Sequence, residues 1–240
     1  MEREEFFKII DNYSKKLNVV LSATQKKQFY DYMNLLIEWN EKINLTTIIN
    51  PQEIIIKHFT DSITISRYIE KKDSVADIGT GAGFPGIPLK IIRPELKIEL
   101  VDSLNKRINF LNIVIDKLNL NDILATHSRI EEFGRNESKR ENFDIVTSRA
   151  VANLNVLSEY MLPLAKIGGR CICMKGPNVL DETNKSKNAI NILGGKLSNI
   201  EEFNLPDTNI GRSIVVIDKV KNTPIKYPRK PGLPSKEPIE

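Results

Sequence analysis

The chain has 240 residues, of which 40% are hydrophobic, enough to bury a full core as one large or two small domains. Its 35 Lys and Arg against 31 Asp and Glu leave a formal charge of +4, a mild bias towards polyanions and no more. No run of about 18 apolar residues occurs, and the N-terminus, Met1-Glu-Arg-Glu-Glu-Phe-Phe-Lys8, lacks the basic-then-apolar pattern of a signal peptide, so neither a membrane span nor export is expected.

Residues 1 to about 70 read as helices only. Ser22-Ala-Thr-Gln25 has the form of a capping box. Behind it Phe29, Met33, Leu36, Ile37 and Asn40 recur at helical spacing, with Leu35 and Trp39 widening the stripe; Trp39 therefore reads as core. Asn50-Pro51 starts another helix, a cap followed by proline at the first helical position. From Ser74 strands and helices alternate. Segments 74–78, 97–102, 123–127, 143–147 and 169–174 are β-like with helical patterns between them, which argues for a parallel, doubly wound sheet. Lys196–Phe203 and Arg212–Val220 are joined by a short turn region, a spacing that suits an antiparallel hairpin rather than another crossover. Cys171 and Cys173 sit at i and i+2 in an apolar run and share one strand face. They are too constrained for a disulfide and too few for a zinc site, so no metal is expected and a reducing cytoplasm is the expected compartment.

Val75 to Gly86 is the most informative stretch. An apolar run (Val75, Ala76, Ile78) breaks into Gly79, Gly81 and Gly83, where missing Cβ atoms let backbone N–H groups approach a ligand. Asp77 lies at the strand's carboxyl end, where open α/β sheets bind ligands. Gly81-x-Gly83-x-x-Gly86 formally satisfies the dinucleotide fingerprint, which would make the chain an NAD-dependent oxidoreductase. Asp77-x-Gly79-x-Gly81-x-Gly83 instead resembles the glycine loop of Rossmann-like S-adenosylmethionine (SAM) methyltransferases. Asp102 ends the next strand 23 residues after Gly79, a position that suits a carboxylate accepting from ribose hydroxyls. It also suits a helix cap, because a helical pattern opens at Asn105. The closing hairpin is how the SAM-dependent fold departs from the dinucleotide-binding one, and it tips the reading towards methyl transfer.

The third and fourth strand ends add candidates. His127-Ser-Arg-Ile130-Glu131 follows strand three, where an adenine would lie; it is equally readable as an acidic first turn with Ile130 facing the core. Arg149, after strand four, points into the crevice and suits a cofactor carboxylate or a substrate phosphate. The next residues lack the Asp/Asn-Pro-Pro-aromatic tetrapeptide of enzymes that methylate exocyclic amines; Ser148-Arg-Ala-Val151 stands there. The cysteines read as inert strand residues, and neither His58 nor His127 has an obvious partner. No catalytic base is assigned. A substrate atom that is already nucleophilic, such as guanine N7, needs none, and catalysis then rests on proximity and orientation.

Gly79-Thr-Gly-Ala-Gly-Phe-Pro-Gly-Ile-Pro-Leu89 is a long and specific string. It resembles the bacterial small-subunit rRNA methyltransferase G family, also called glucose-inhibited division protein B. The likeness continues in Trp39-Asn40, Asn44-Leu-Thr46, Lys57-His-Phe-Thr-Asp-Ser62 and Ser128-Arg-Ile-Glu-Glu-Phe133. Phe143-Asp144, Ser148-Arg-Ala150, Met174-Lys-Gly176 and Tyr227-Pro-Arg-Lys-Pro-Gly-Leu-Pro234 complete it. The resemblance implies an α/β, Rossmann-like SAM-dependent (class I) methyltransferase fold, mostly parallel and ending in an antiparallel hairpin, with an N-terminal helical extension. It implies methylation of N7 of one guanosine in 16S rRNA of the small ribosomal subunit, with cofactor contacts on Gly79, Phe84, Ile130, Glu131 and Arg149 beside Asp77, Gly81 and Asp102. Thr60 departs from the string, where an apolar residue is expected.

The expected division is a helical cap (1–70), a methyltransferase domain (71–220) and a basic, proline-rich tail (221–240). Between 219 and 240 stand six cationic and two acidic residues and five of the twelve prolines, so this end is expected to be extended and to track phosphates through Arg229 and Lys230. Lys175, just past strand five, is the third RNA candidate. Phe84 is readable either as a stacking partner for a base or as a cofactor contact. No heptad or apolar seam stands out, which leaves the oligomeric state open; a monomer is the expectation. A non-catalytic rRNA-binding assembly factor is the alternative outside the enzymes.

Overall fold

In the computed structural model, which describes residues 1–240, seven strands form one sheet in the order β3-β2-β1-β4-β5-β7-β6. They are β1 (Ser74–Ile78), β2 (Lys97–Asp102), β3 (Ile123–His127), β4 (Phe143–Arg149), β5 (Ala165–Lys175), β6 (Gly195–Asn204) and β7 (Gly211–Lys219). The first five are parallel; β7 runs antiparallel between β5 and β6. The expected hairpin is therefore present. Its second strand, β7, takes the inner place, and β6 becomes the edge. Chain order reverses between β1 and β4, which opens a crevice at their carboxyl ends.

β5 begins four residues before the β-like segment read from sequence. Its pairing with β4 skips from Phe143–Ala165 to Ile145–Arg170, with Gly168 at φ +83° inside the skip. A bulge of this kind breaks the period-two pattern that marks a strand in sequence.

Ten helices complete the fold: α1 (Arg3–Lys16), α2 (Ala23–Ile43), α3 (Pro51–Ile54), α4 (Asp61–Ile63), α5 (Gly86–Ile92), α6 (Asn105–Lys117), α7 (Ile130–Arg135), α8 (Leu154–Met161), α9 (Leu180–Ile192) and α10 (Leu233–Lys236). A π-helical turn (Ile55–Thr60) joins α3 to α4, and a 3₁₀ turn (Thr64–Tyr68) follows. The capping box closes both ways at Ser22, whose hydroxyl accepts from Gln25 N–H and whose own N–H donates to the Gln25 side chain. Asn50 caps α3 by accepting from Gln52 and Glu53 N–H.

Alternation along the strands sorts the core onto two faces. Ile145, Ile172 and Val216 join Phe6, Phe29, Tyr32, Met33 and Leu36 of α1 and α2 on one side. Val146, Cys171, Cys173 and Val215 meet Leu154, Leu157 and Met161 of α8 on the other. The N-terminal helices thus share a continuous core with the sheet.

The C-terminal segment departs from the extended strap expected of it. Tyr227 and Pro228 are buried, and α10 is a helical turn that accepts Pro234 in its first positions, where no N–H donor is required. Arg140 donates to the carbonyls of Tyr227 (2.7 Å) and Thr223 (2.6 Å), fastening the segment to the domain. Buried Lys219 anchors its start through Leu162 O, Thr223 Oγ1 and Glu141.

Candidate active site

β1 carries the chain to the crevice, and residues 79–85 return as a loop into α5. The N–H groups of Gly79 and Thr80 donate to Val101 O at 2.9 and 3.1 Å, tying the loop to β2. Gly79 and Gly83 adopt φ of +65° and +100°, and a Cβ on either would lie 2.5 Å from Val151 or Ile87, so both requirements call for glycine. Gly81, at φ +63°, differs: a Cβ there meets nothing within 4 Å. It faces open space, which is the cleft.

Asp77 lies beneath this loop. Its Oδ2 accepts from Thr80 Oγ1 (2.6 Å) and Gly86 N–H (2.8 Å), while Oδ1 has no partner. Full burial pushes the carboxyl up to about 7, against the pull of those two hydrogen bonds. Gly86 is the first residue of α5, where a dinucleotide would seat its pyrophosphate. Asp77 already occupies that donor, which disfavours the dinucleotide reading of Gly81-x-Gly83-x-x-Gly86.

Asp102 ends β2. Its Oδ1 accepts from Leu104 N–H at 2.9 Å, capping the turn into α6. Its Oδ2 accepts from Gly81 N–H at 2.9 Å and pairs with Arg107 at 3.1 Å, so the carboxylate also braces the loop at the cleft wall. Ile130 and Glu131 open α7, and Glu131 accepts from Gly232 N–H of the C-terminal segment at 2.8 Å.

Arg149 ends β4, its side chain largely covered by polar partners. It donates to Asp61 Oδ2 (3.3 Å) and Lys57 O (3.2 Å), stands 3.1 Å from His58 Nδ1, and places its guanidinium 4.8 Å over the Phe84 ring. Burial lowers its pKa, with Asp61 opposing. His58, without an obvious partner in the sequence, has two: Arg149, and Thr46 Oγ1 at 2.9 Å from Nε2. Its ring stacks on Phe84 with centroids 4.4 Å apart. Burial, then the Arg149 charge, lowers its pKa to about 3, so the imidazole is neutral near pH 7. Phe84 is hemmed in by His58, Tyr32 and Arg149, which leaves its ring no free face for a splayed RNA base.

These groups line a cleft of about 540 Å³. Gly79, Gly81, Phe84, Asp102, Ile130, Glu131 and Arg149 all border it; Asp77 alone among the expected cofactor residues does not. Tyr160 and Ser235 also border it, with hydroxyls 2.9 Å apart. Nothing local in the sequence marks that pair, because 75 positions separate its members. Thr46 and His58, by contrast, sit inside strings that carried the family resemblance.

The RNA candidates are not brought together. Lys175 donates to Ala152 O and pairs with Glu182, each at 2.7 Å. The guanidinium of Arg229 grips both oxygens of buried Glu159 at 2.7 to 3.1 Å and so anchors the C-terminal segment. Lys230 is exposed.

The family model of rRNA small subunit methyltransferase G (GidB) matches residues 25–211. The ribosomal RNA small subunit methyltransferase G of Desulforamulus reducens is 54% identical over 94% of this chain and 95% of its own. That of Alkaliphilus metalliredigens is 48% identical over 97% and 98%, and that of Bacillus cereus 51% over 92% and 94%. Among solved structures, M. jannaschii TYW2 in complex with AdoMet superposes with a TM-score of 0.54 at 15% identity, covering 68% of this chain and 76% of that one. TrmN from Thermus thermophilus gives 0.52 at 13%, covering 69% and 53%. At such identities the likeness is one of fold, the class I methyltransferase fold. Matched by the family model over most of its length and about half identical to named members from end to end, the chain belongs to the rRNA small subunit methyltransferase G family.

Proposed function

We propose that this protein transfers a methyl group from SAM to N7 of one guanosine in the 16S rRNA of the small ribosomal subunit. The observation that carries the reading is the cleft at the end of β1, where a glycine loop, the β2 carboxylate Asp102 and the start of α7 converge. The fit is chemical as well as spatial. Its volume falls within the roughly 300–1,000 Å³ of small-molecule sites. Gly81 presents open backbone to it, and the N–H of Gly86 at the start of α5, where a dinucleotide phosphate would sit, is taken by Asp77. A nucleoside with an amino-acid tail and no phosphate suits that donor set.

Gly79, Gly81 and Phe84 would hold the tail side, Asp102 the ribose hydroxyls, and Ile130 with Glu131 the adenine. Arg149 would add its charge at the tail's carboxylate while keeping its own partner Asp61. Bound SAM supplies an electrophilic methyl on a sulfonium. The guanine N7 lone pair forms the new N–C bond as the S–C bond breaks with its electron pair staying on sulfur. Positive charge moves to the guanine ring and no proton leaves, so the chain is asked only to position and to exclude water. Both nitrogens of His58 are engaged by Thr46 and Arg149, which fits a positioning role for that ring.

The helical cap would shape the substrate side of the cleft, and Lys175 and Lys230 would meet RNA. No helix is long and apolar enough to cross a membrane. A monomer acting on ribosomal subunits in the cytoplasm is the proposed setting. The test uses purified protein, SAM and small subunits lacking the modification, followed by borohydride and aniline, which cleave RNA at N7-methylguanosine. One enzyme-dependent cleavage is expected. Its absence with SAM bound would leave the non-catalytic assembly factor as the reading, and Asp102→Ala separates the two, since only a catalyst loses its cellular role with the cofactor.

A further inference from the structure

The last stretch of chain stitches two helices at the cleft together. The carbonyl of Pro228 accepts from Arg135 Nε of α7 at 2.8 Å, and its ring packs so closely on that helix that a Cβ on Gly134 would lie 3.1 Å from it. Arg229 turns the other way, to Glu159 of α8, which takes its N–H at 2.7 Å as well as its guanidinium. Gly232 returns to α7, its N–H donating to Glu131 at 2.8 Å. Ser235 meets Tyr160 of α8 at 2.9 Å. Contacts thus alternate between α7 and α8 along residues 228–235, and Glu131, Tyr160 and Ser235 all border the cleft at the end of β1.

Packing does little to hold this stretch. From Arg229 to Glu240 only Pro234 is buried. A segment with so few covered apolar contacts opens at low free energy while the fold beneath it stays closed. Its docked state depends on the polar contacts to α7 and α8, and a ligand that favours those contacts favours docking.

The hydroxyl pair at its end has capacity to spare. When one member donates to the other, the second keeps its own O–H, and lone pairs remain on both oxygens. Burial raises the pKa of the Tyr160 phenol, with Ser235 opposing and nearby Glu131 adding to the rise, so the phenol stays protonated near neutrality. The pair therefore presents a donor and acceptors on the wall that it shares with Glu131. An adenine edge carries the matching ring-nitrogen acceptor and amino donor.

We propose that residues 228–235 form a strap that fixes the adenine wall of the SAM cleft, with Tyr160 and Ser235 as its positioning residues, so that docking of the strap and binding of the cofactor favour each other. It rests on the methyltransferase reading, since the cleft must hold SAM for the strap to sense it. Coupling of this kind is reciprocal: whatever factor the docked strap adds to cofactor affinity, the cofactor returns to docking.

Ser235 is exposed, so its variants probe the strap without disturbing the core. Ser235→Ala should weaken calorimetric SAM binding about fivefold, the loss of one hydrogen bond, with the melting temperature of the SAM-free protein unchanged. Ser235→Thr keeps the hydroxyl and should restore affinity to within about twofold of wild type. In the wild-type full chain, saturating SAM should slow hydrogen exchange of the Gly232 N–H by about fivefold or more. Wild-type affinity in Ser235→Ala, a threonine variant as weak as the alanine one, or Gly232 exchange indifferent to SAM would each overturn the strap. A wild-type chain that binds no SAM would instead overturn the methyltransferase reading beneath it.

Discussion

Thr60 shows how much one atom decides at the residue scale. Its position in the string Lys57-His-Phe-Thr-Asp-Ser62 calls for an apolar side chain, and the structure buries it completely with Oγ1 unpartnered. A buried hydroxyl without a hydrogen bond is unfavourable by about 1–3 kcal/mol. Thr60→Val keeps the shape and removes that atom, so it should stabilise the protein by about 1 kcal/mol and raise the melting temperature by about 2–4 °C; an unchanged or lower melting temperature counts against the orphaned hydroxyl. Gly81 is the functional counterpart. Because its missing Cβ faces the cleft and its φ is +63°, Gly81→Leu should strain the loop and fill the space, abolishing calorimetric SAM binding. Retained affinity would place the cofactor elsewhere.

At the scale of elements, the β1–loop–α5 unit and the π-helical turn bring two titrating groups with opposite demands to neighbouring positions. Asp77 has its carboxyl raised by burial, with Arg149 and Asp102 nearby; its contribution is present in acid and lost as pH rises towards about 7. His58 has its imidazole lowered by burial and by Arg149, with Arg212 adding to the effect and a backbone hydrogen bond at Lys57 opposing it. Its contribution is present above the unfolded value near 6.5 and lost as pH falls towards about 3. Between about pH 4 and 6.5 the unfolded chain gives up one proton and gains the other, so the two slopes oppose each other. Single variants unmask them. Relative to wild type, His58→Gln should lose stability as pH rises through this window, and Asp77→Asn should lose it as pH falls, each by up to about 1.4 kcal/mol per pH unit. Urea unfolding from pH 4 to 7 reads the two slopes, and parallel curves for both variants and wild type would refute the assignment.

Across the whole molecule, the C-terminal segment is the part that ties distant pieces together. It runs from the anchor at Lys219 past Arg140 and Glu159 to Glu131, and brings Ser235 to the cleft at the end of β1. Glu159 is fully buried, and removing its guanidinium partner leaves a carboxylate stranded, an effect of about 3–5 kcal/mol when a buried pair is broken. Arg229→Ala should therefore lower unfolding free energy by about 3 kcal/mol with the salt slope of RNA binding unchanged. Lys230→Ala, on an exposed side chain, should do the reverse, leaving stability alone and reducing the slope by about 1. Denaturant titrations and salt-dependent RNA binding on both variants separate anchor from contact, and interchanged results would reverse the assignment.

Local chemistry carried the architecture into the sequence. Ser22 and Asn50 announce their helices through caps, the strands through apolar periodicity, and the glycine loop through positions that a Cβ would block. All of these depend on neighbours a few residues away, so they are legible in one dimension. Three outcomes are not of that kind. Asp77 went beneath the loop because Gly86, nine positions on, claimed its oxygen. Arg229 went to Glu159 across 70 positions, and Tyr160 met Ser235 across 75. Which carboxylate a cation finds, and which hydroxyl reaches a cleft, is set by how elements pack against each other, since burial makes an unpaired charge far less favourable than any local preference can balance. The sequence by itself determined the sheet, the loop and the family; only the tertiary structure decided which of its charged groups hold the fold and which are left to face a ligand.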